Sequence, residues 1–115
     1  MTHETDLRDN AFEFLSAARS AMDNQAYNVA VTLSFKAIAV LTDLYLLRKE
    51  GVIPSNHAER FRLLQKKYPQ IYLIHDKDFP IYQDSYRTKL TRAYAEVLAN
   101  DAKKLLRITG IDLPG

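Results

Sequence analysis

Ala26-Tyr-Asn-Val-Ala-Val-Thr-Leu-Ser-Phe-Lys-Ala-Ile-Ala-Val-Leu-Thr-Asp-Leu-Tyr-Leu-Leu-Arg-Lys-Glu50, closed by Gly51, is the stretch whose reading decides the fold. Val29, Ala30, Leu33, Ala37, Leu41 and Leu44 recur at helical spacing and make one face. Val31, Phe35, Ile38, Tyr45 and Leu46 cover much of the rest. A helix apolar nearly all round must sit at the centre of a bundle or against a second subunit. Lys36 and Asp43 interrupt the run, with Thr32, Ser34 and Thr42 beside them. Those polar groups favour a buried protein helix over a membrane span. Arg48 and Lys49 before Gly51 form an ordinary C-terminal stop.

Working outward towards the N-terminus, Leu7, Ala11, Phe14, Leu15, Ala18 and Met22 predict an amphipathic helix over 6–23. The break Asp23-Asn24-Gln25 is so short that the two helices should pack as an antiparallel hairpin. Towards the C-terminus, Asn56 followed by Glu59 has capping-box spacing and opens a third helix. Phe61, Leu64 and Tyr68 are its expected inner face; Arg60, Arg62, Lys66 and Lys67 are expected outside, and Pro69 should end it. Ile71 to Ile74 reads as a short helix or an extended pass, and His75-Asp-Lys-Asp78 as a polar turn. A last helix is expected over 81–108, with Leu90, Tyr94, Val97, Leu98, Ala102 and Leu105 inward and Gly110 and Pro114 beyond its end. The predicted architecture is an all-α, up-and-down bundle of four main helices plus a short extra segment, in one domain over 1–115.

Composition agrees with that reading. Apolar residues make up 47% and charged residues 26% of the 115, within the soluble globular range. Three glycines and four prolines are too few for a many-turned β architecture. The absence of cysteine removes disulfides and thiolate metal sites, and a cytoplasmic setting fits it. The acidic start, with Glu4, Asp6 and Asp9, is unlike a signal peptide. The net charge of +2 is unevenly spread: residues 1–47 hold three basic and six acidic side chains, and residues 48–107 hold thirteen and seven. A basic second half can attract nucleic acid or an acidic partner, and can equally be a solvated helix surface.

The chemical candidates are few. His3, His57 and His75 fall in no HxxxH or ExxH spacing, so no metal site and no cofactor are expected. His57 reads as a residue at a helix start that bonds locally, and His75 with Asp76 and Asp78 as a solvated cluster or a general base. Neither Ser34 nor Ser85 sits in a nucleophile elbow. Tyrosines and arginines together can stack and clamp nucleotides, although Tyr27, Tyr45 and Tyr68 are spaced like core aromatics. The remaining candidate is Arg87-Thr-Lys-Leu-Thr-Arg92-Ala-Tyr94. On a helix, at about 100° per residue, Tyr94 returns almost to the azimuth of Arg87 and Arg92 lies roughly 140° round. Arg87 would then border a buried seam, where a cation needs a partner, a ligand or a cleft.

From about Asn10 to Leu106 the order of these features resembles the HEPN superfamily of small helical domains. Ala26 to Ala37 is similar to the tyrosine, alanine and aromatic pattern opening the second helix in prokaryotic members, and Pro54-Ser-Asn-His57 to their loop-plus-histidine. Active members carry an arginine, a polar residue, several spacers and a histidine in the last helix, with a tyrosine two positions further in one branch. Arg87 and Tyr94 match that register; Thr88 stands at the polar position and Arg92 where the histidine would be. The resemblance implies a homodimer whose two motifs share a cleft, and a metal-independent RNase chemistry. In that chemistry the histidine handles protons and the arginine, here Arg87, stabilises phosphorane charge. Arg92 keeps its charge and cannot replace the histidine, but it binds phosphate well.

The expected function is therefore a catalytically impaired HEPN protein binding RNA or a nucleotide through Arg87, Thr88, Arg92 and Tyr94. Three alternatives stand beside it. One is an active endoribonuclease, such as the toxin of a toxin–antitoxin pair, with His57 or His75 replacing the histidine. Another is a partner of a small nucleotidyltransferase, with Tyr94 accepting AMP. The last is a helical dimer whose arginines only pair with Asp84, Glu96 or Asp101.

Overall fold

The structure, a computed structural model, describes residues 2–113 and is all-helical there, a bundle of five helices. These are α1 (Thr2–Asp23), α2 (Tyr27–Glu50), α3 (His57–Lys67), α4 (Pro69–Asp84) and α5 (Arg92–Thr109). Pro114 lies outside the described residues. The α1–α2 turn forms as the sequence suggests. Gln25 takes a left-handed conformation (φ 61°), and the Ala26 N–H donates to the Ala21 carbonyl at 2.8 Å. Gly51 ends α2 with φ 74°, its N–H on the Leu47 carbonyl at 3.0 Å. Glycine adopts that backbone without the steric cost a Cβ would bring.

α2 is the centre of the molecule, covered by α1, α4 and α5. Its C-terminal half (Ile38, Leu41, Leu44) packs with Leu64 of α3, Ile71 of α4 and Leu105 of α5. Its N-terminal half (Ala30, Val31, Phe35) packs with Tyr82, Ala95 and Leu98. Each fully buried Leu, Ile or Phe contributes roughly 1.5–3 kcal/mol. α2 is also the one helix among the described residues long and apolar enough to cross a membrane, and 67% of its apolar window is buried within the bundle.

Asn56 caps α3 as its spacing predicts: its Oδ1 accepts from the Glu59 N–H at 2.9 Å. Pro69, expected to end α3, instead opens α4, at a first-turn position where its missing N–H costs nothing. α4 is a full helix of 16 residues, neither a short helical segment nor an extended pass followed by a turn. Ile71, Ile74, His75, Asp78 and Tyr82 are its buried residues, three or four apart. Pro80 lies inside it and, lacking an N–H, leaves the Asp76 carbonyl without its usual helical donor.

The last helix starts at Arg92, eleven positions later than expected from residue 81. Residues 81–84 belong to α4, and 85–91 form a loop. Two side chains also change sides. Arg60, expected outside, is buried at 7% exposure, and Tyr94, expected inside, is 48% exposed.

Candidate functional site

The 85–91 loop owes its shape to one side chain of α2. The Asn28 amide donates to the carbonyls of Ser85 (2.9 Å) and Thr88 (2.7 Å), and its oxygen accepts from the Leu90 N–H at 2.9 Å. Thr32, one turn further along α2, bonds the Ser85 hydroxyl at 2.9 Å. Asp84 closes α4 from the other side: its carbonyl accepts from the Arg87 and Thr88 N–H groups and from the Thr88 hydroxyl at 3.0 Å. These bonds interrupt what would otherwise be a continuous helix from α4 into α5.

Arg87 is therefore on an exposed loop and does not border a buried helical seam. Arg87 and Lys89 have no ion-pair partner among the described residues. Thr88 is exposed, but its hydroxyl is spent on the Asp84 carbonyl. Arg92 is the first residue of α5 and meets Glu96 at 3.3 Å, with both side chains more than half exposed. So exposed a pair contributes little, and a phosphate can displace it. A cation at a helix start faces the positive end of the backbone dipole, so an anion beside Arg92 relieves repulsion as well as pairing charge. Tyr86, at 67% exposure, and Tyr94 present aromatic surface around these cations.

His57 and His75, the two histidines expected as candidate proton-transfer groups, are both tied down. His75 is fully buried in α4 and its Nε2 shares a 2.7 Å hydrogen bond with the Thr42 hydroxyl. Burial, and then the charge of Arg60, push its pKa down to about 3. It is neither solvated nor in a loop, and no substrate reaches it. His57 is half-buried at the start of α3, against the Phe79 ring at 4.8 Å. Arg60 Nη1 lies 2.9 Å from its Nδ1. A guanidinium only donates, so Nδ1 holds the lone pair and the proton sits on Nε2. Burial and the Arg60 charge both hold the ring below its ordinary pKa, so it is neutral and turns an N–H outward from that bond. Its one basic nitrogen is already occupied.

Arg60, expected on the outside of α3, is tied into the interior instead. Its Nε and Nη2 donate to Asp43 Oδ1 and Oδ2 at 2.7 and 2.8 Å, a buried bidentate pair. A usable signal existed: Asp43 inside an apolar helix demands a buried cation. Nearby, Tyr82 stacks on Phe35 at 4.7 Å, and its hydroxyl receives Lys36 Nζ at 3.4 Å and the Tyr86 hydroxyl at 2.9 Å. Lys36, Tyr82 and Tyr86 thus join the α2 and α4 faces beside the Arg87 loop, a grouping that no spacing in the sequence announced.

One turn before Tyr82 on the same buried face of α4, Asp78 is fully buried. Burial first, and the neighbouring Asp101 carboxyl second, raise its pKa to about 8. Lys77 pairs with Asp101 at 2.9 Å. Among the described residues no group of three or more His, Asp or Glu gathers that could hold a metal ion. No protein-family model, curated protein or solved structure matches this chain.

Proposed function

We propose that this chain is a HEPN-type homodimer that binds RNA or nucleotide phosphates through Arg87, Lys89 and Arg92 and does not cleave them. The observation that carries this reading is the Asn28-held loop. It leaves two unpaired cations and a weakly paired third in solvent, flanked by the exposed rings of Tyr86 and Tyr94. Cations along a backbone path with sequence-tolerant stacking surfaces suit single-stranded nucleic acid. Against cleavage stand Arg92 in place of a proton-transferring group, His75 out of reach, and His57 with its lone pair engaged. Two copies meeting beside this face would double its positive charge and cover Val29, which is exposed in the single chain.

The test is binding of short single-stranded RNA in EDTA at several salt concentrations, for the native protein and for R87A/K89A, with mass measured by light scattering. Expected are a particle of twice the chain mass, intact RNA, and a log–log salt slope reduced by about 1.4 in the variant. EDTA-resistant cleavage abolished by Arg87→Ala would instead establish the ribonuclease. A second reading, Tyr94 as an acceptor of AMP from a nucleotidyltransferase partner, draws on its 48% exposure. Co-expression with such an enzyme and intact-mass analysis tests it: a single adenylyl adduct lost in Tyr94→Phe is the expected result, and an unmodified chain ends that reading.

A further inference from the structure

We infer that Lys36, His57 and Tyr82, one from each of α2, α3 and α4, form a phosphate subsite beside the Arg87 loop. The inference rests on the RNA-binding reading only for the identity of the molecule that carries the phosphate. It begins with the Tyr82 hydroxyl. A phenol oxygen has two lone pairs and one proton. Lys36 Nζ (3.4 Å) and the Tyr86 hydroxyl (2.9 Å) occupy the lone pairs, so the Tyr82 proton must point to a third group. No acceptor for it exists among the described residues. His57 repeats the situation: Arg60 fills Nδ1, and the Nε2 proton has no acceptor there either.

Lys36 supplies the charge. It is half-buried and has no carboxylate at ion-pair distance among the described residues, while the Arg60 charge is answered by Asp43. The cluster of Lys36, Arg60 and Asp43 therefore carries one uncompensated positive charge, partly withdrawn from water, where an anion gains most. The groups are close: Lys36 Nζ lies 5.7 Å from the Tyr82 ring centre, and the His57 ring centre 6.3 Å from it. An ammonium, an O–H and an N–H offered from three helices suit an oxyanion with several acceptor oxygens better than a single carboxylate. Tyr86, which completes the Tyr82 network, immediately precedes Arg87, so a phosphate here would be continuous with the loop's cations.

His57 is a built-in reporter, because its proton on Nε2 faces any ligand while Nδ1 stays on Arg60. The experiment is an NMR titration of the His57 ring signals with inorganic phosphate, then with short RNAs bearing or lacking a 5′-phosphate. It compares the native protein with Lys36→Met, Tyr82→Phe and Arg87→Ala. Phosphate should shift the His57 signals saturably and raise the ring pKa. Lys36→Met should weaken the apparent affinity about tenfold, or about 1.4 kcal/mol. Tyr82→Phe keeps the ring stacked on Phe35 and should weaken it severalfold, and Arg87→Ala should weaken the binding of RNA. A response only to 5′-phosphorylated RNA identifies a terminal phosphate as the ligand; equal responses identify an internal phosphodiester.

Absence of a phosphate response at His57, or an unchanged affinity in Lys36→Met, overturns the subsite. RNA binding that depends on Arg87 but never moves His57 overturns the subsite and leaves the RNA reading intact. Saturable phosphate binding without any RNA binding does the reverse.

Discussion

Arg60 of α3 grips Asp43 of α2 with two parallel hydrogen bonds, where neither side chain exceeds 11% exposure. The same guanidinium holds the His57 ring, so one buried arginine joins the core of the bundle to the half-buried start of α3. Replacing Arg60 by Met strands the Asp43 carboxylate in the interior, at a cost of about 3–5 kcal/mol. The double variant R60M/D43L should recover most of that loss, because a well-packed apolar pair is often as stable as a buried ion pair. Urea unfolding of the two variants checks both statements. An R60M variant as stable as the native protein would mean that the pair is not desolvated.

Acid should weaken the fold through His75. Its folded pKa of about 3 lies below the unfolded value near 6.5, so the unfolded chain binds the extra proton first. The contribution is whole above pH 6.5 and is lost progressively as pH falls towards 3. Between pH 7 and pH 5 the loss should be about 2 kcal/mol. Denaturant midpoints at the two pH values, compared with those of His75→Gln, measure it; the glutamine variant should lack this part of the pH dependence.

Asp78 has the opposite sign. Its folded pKa, near 8, exceeds its unfolded value, so the unfolded chain gives up the proton more readily and stability falls as pH rises from about 4 to 8. Asp78→Asn removes the ionisation while keeping shape and hydrogen-bonding capacity. It should raise the melting temperature by several degrees at pH 8 and by much less at pH 4.5. Thermal melts at the two pH values decide it, and equal effects at both would show that the carboxyl is already ionised in the fold.

Asn28→Ala removes three hydrogen bonds to the 85–91 loop. The Leu90 amide should lose at least tenfold in exchange protection, while amides in the middle of α2 keep theirs. Hydrogen exchange read by NMR is the measurement. A Leu90 amide still protected in the variant would assign the loop's geometry to the Thr32–Ser85 contact instead.

Much of the bundle was legible because its signals are local. α2 announced itself by apolar residues on every side, the α1–α2 hairpin by a three-residue break, and α3 by Asn56 and Glu59. α4 was hidden because two of its interior positions hold His75 and Asp78, which read as solvated until Thr42 and Asp101 are brought against them. Pro80 lies inside the helix without ending it. The late start of α5 had no local signal at all. Residues 85–91 contain neither glycine nor proline, and the break comes from Asn28, 62 positions away from Leu90. Arg87 and Thr88 sit on that loop and Arg92 and Tyr94 at the start of α5, a setting that follows from that distant contact.

The central position of α2 also shapes how the chain reaches this structure. α1 is its neighbour in sequence and can pair with it early, because such local contacts close short loops. Ala95 and Leu98, which cover Ala30, Val31 and Phe35, arrive only with the last helix. Closing so long a segment is entropically costlier and slower. Until α5 docks, an early hairpin carries an open apolar flank of the kind that draws partly folded chains together. A chain stopped before Arg92 would leave that flank of α2 uncovered by Ala95 and Leu98.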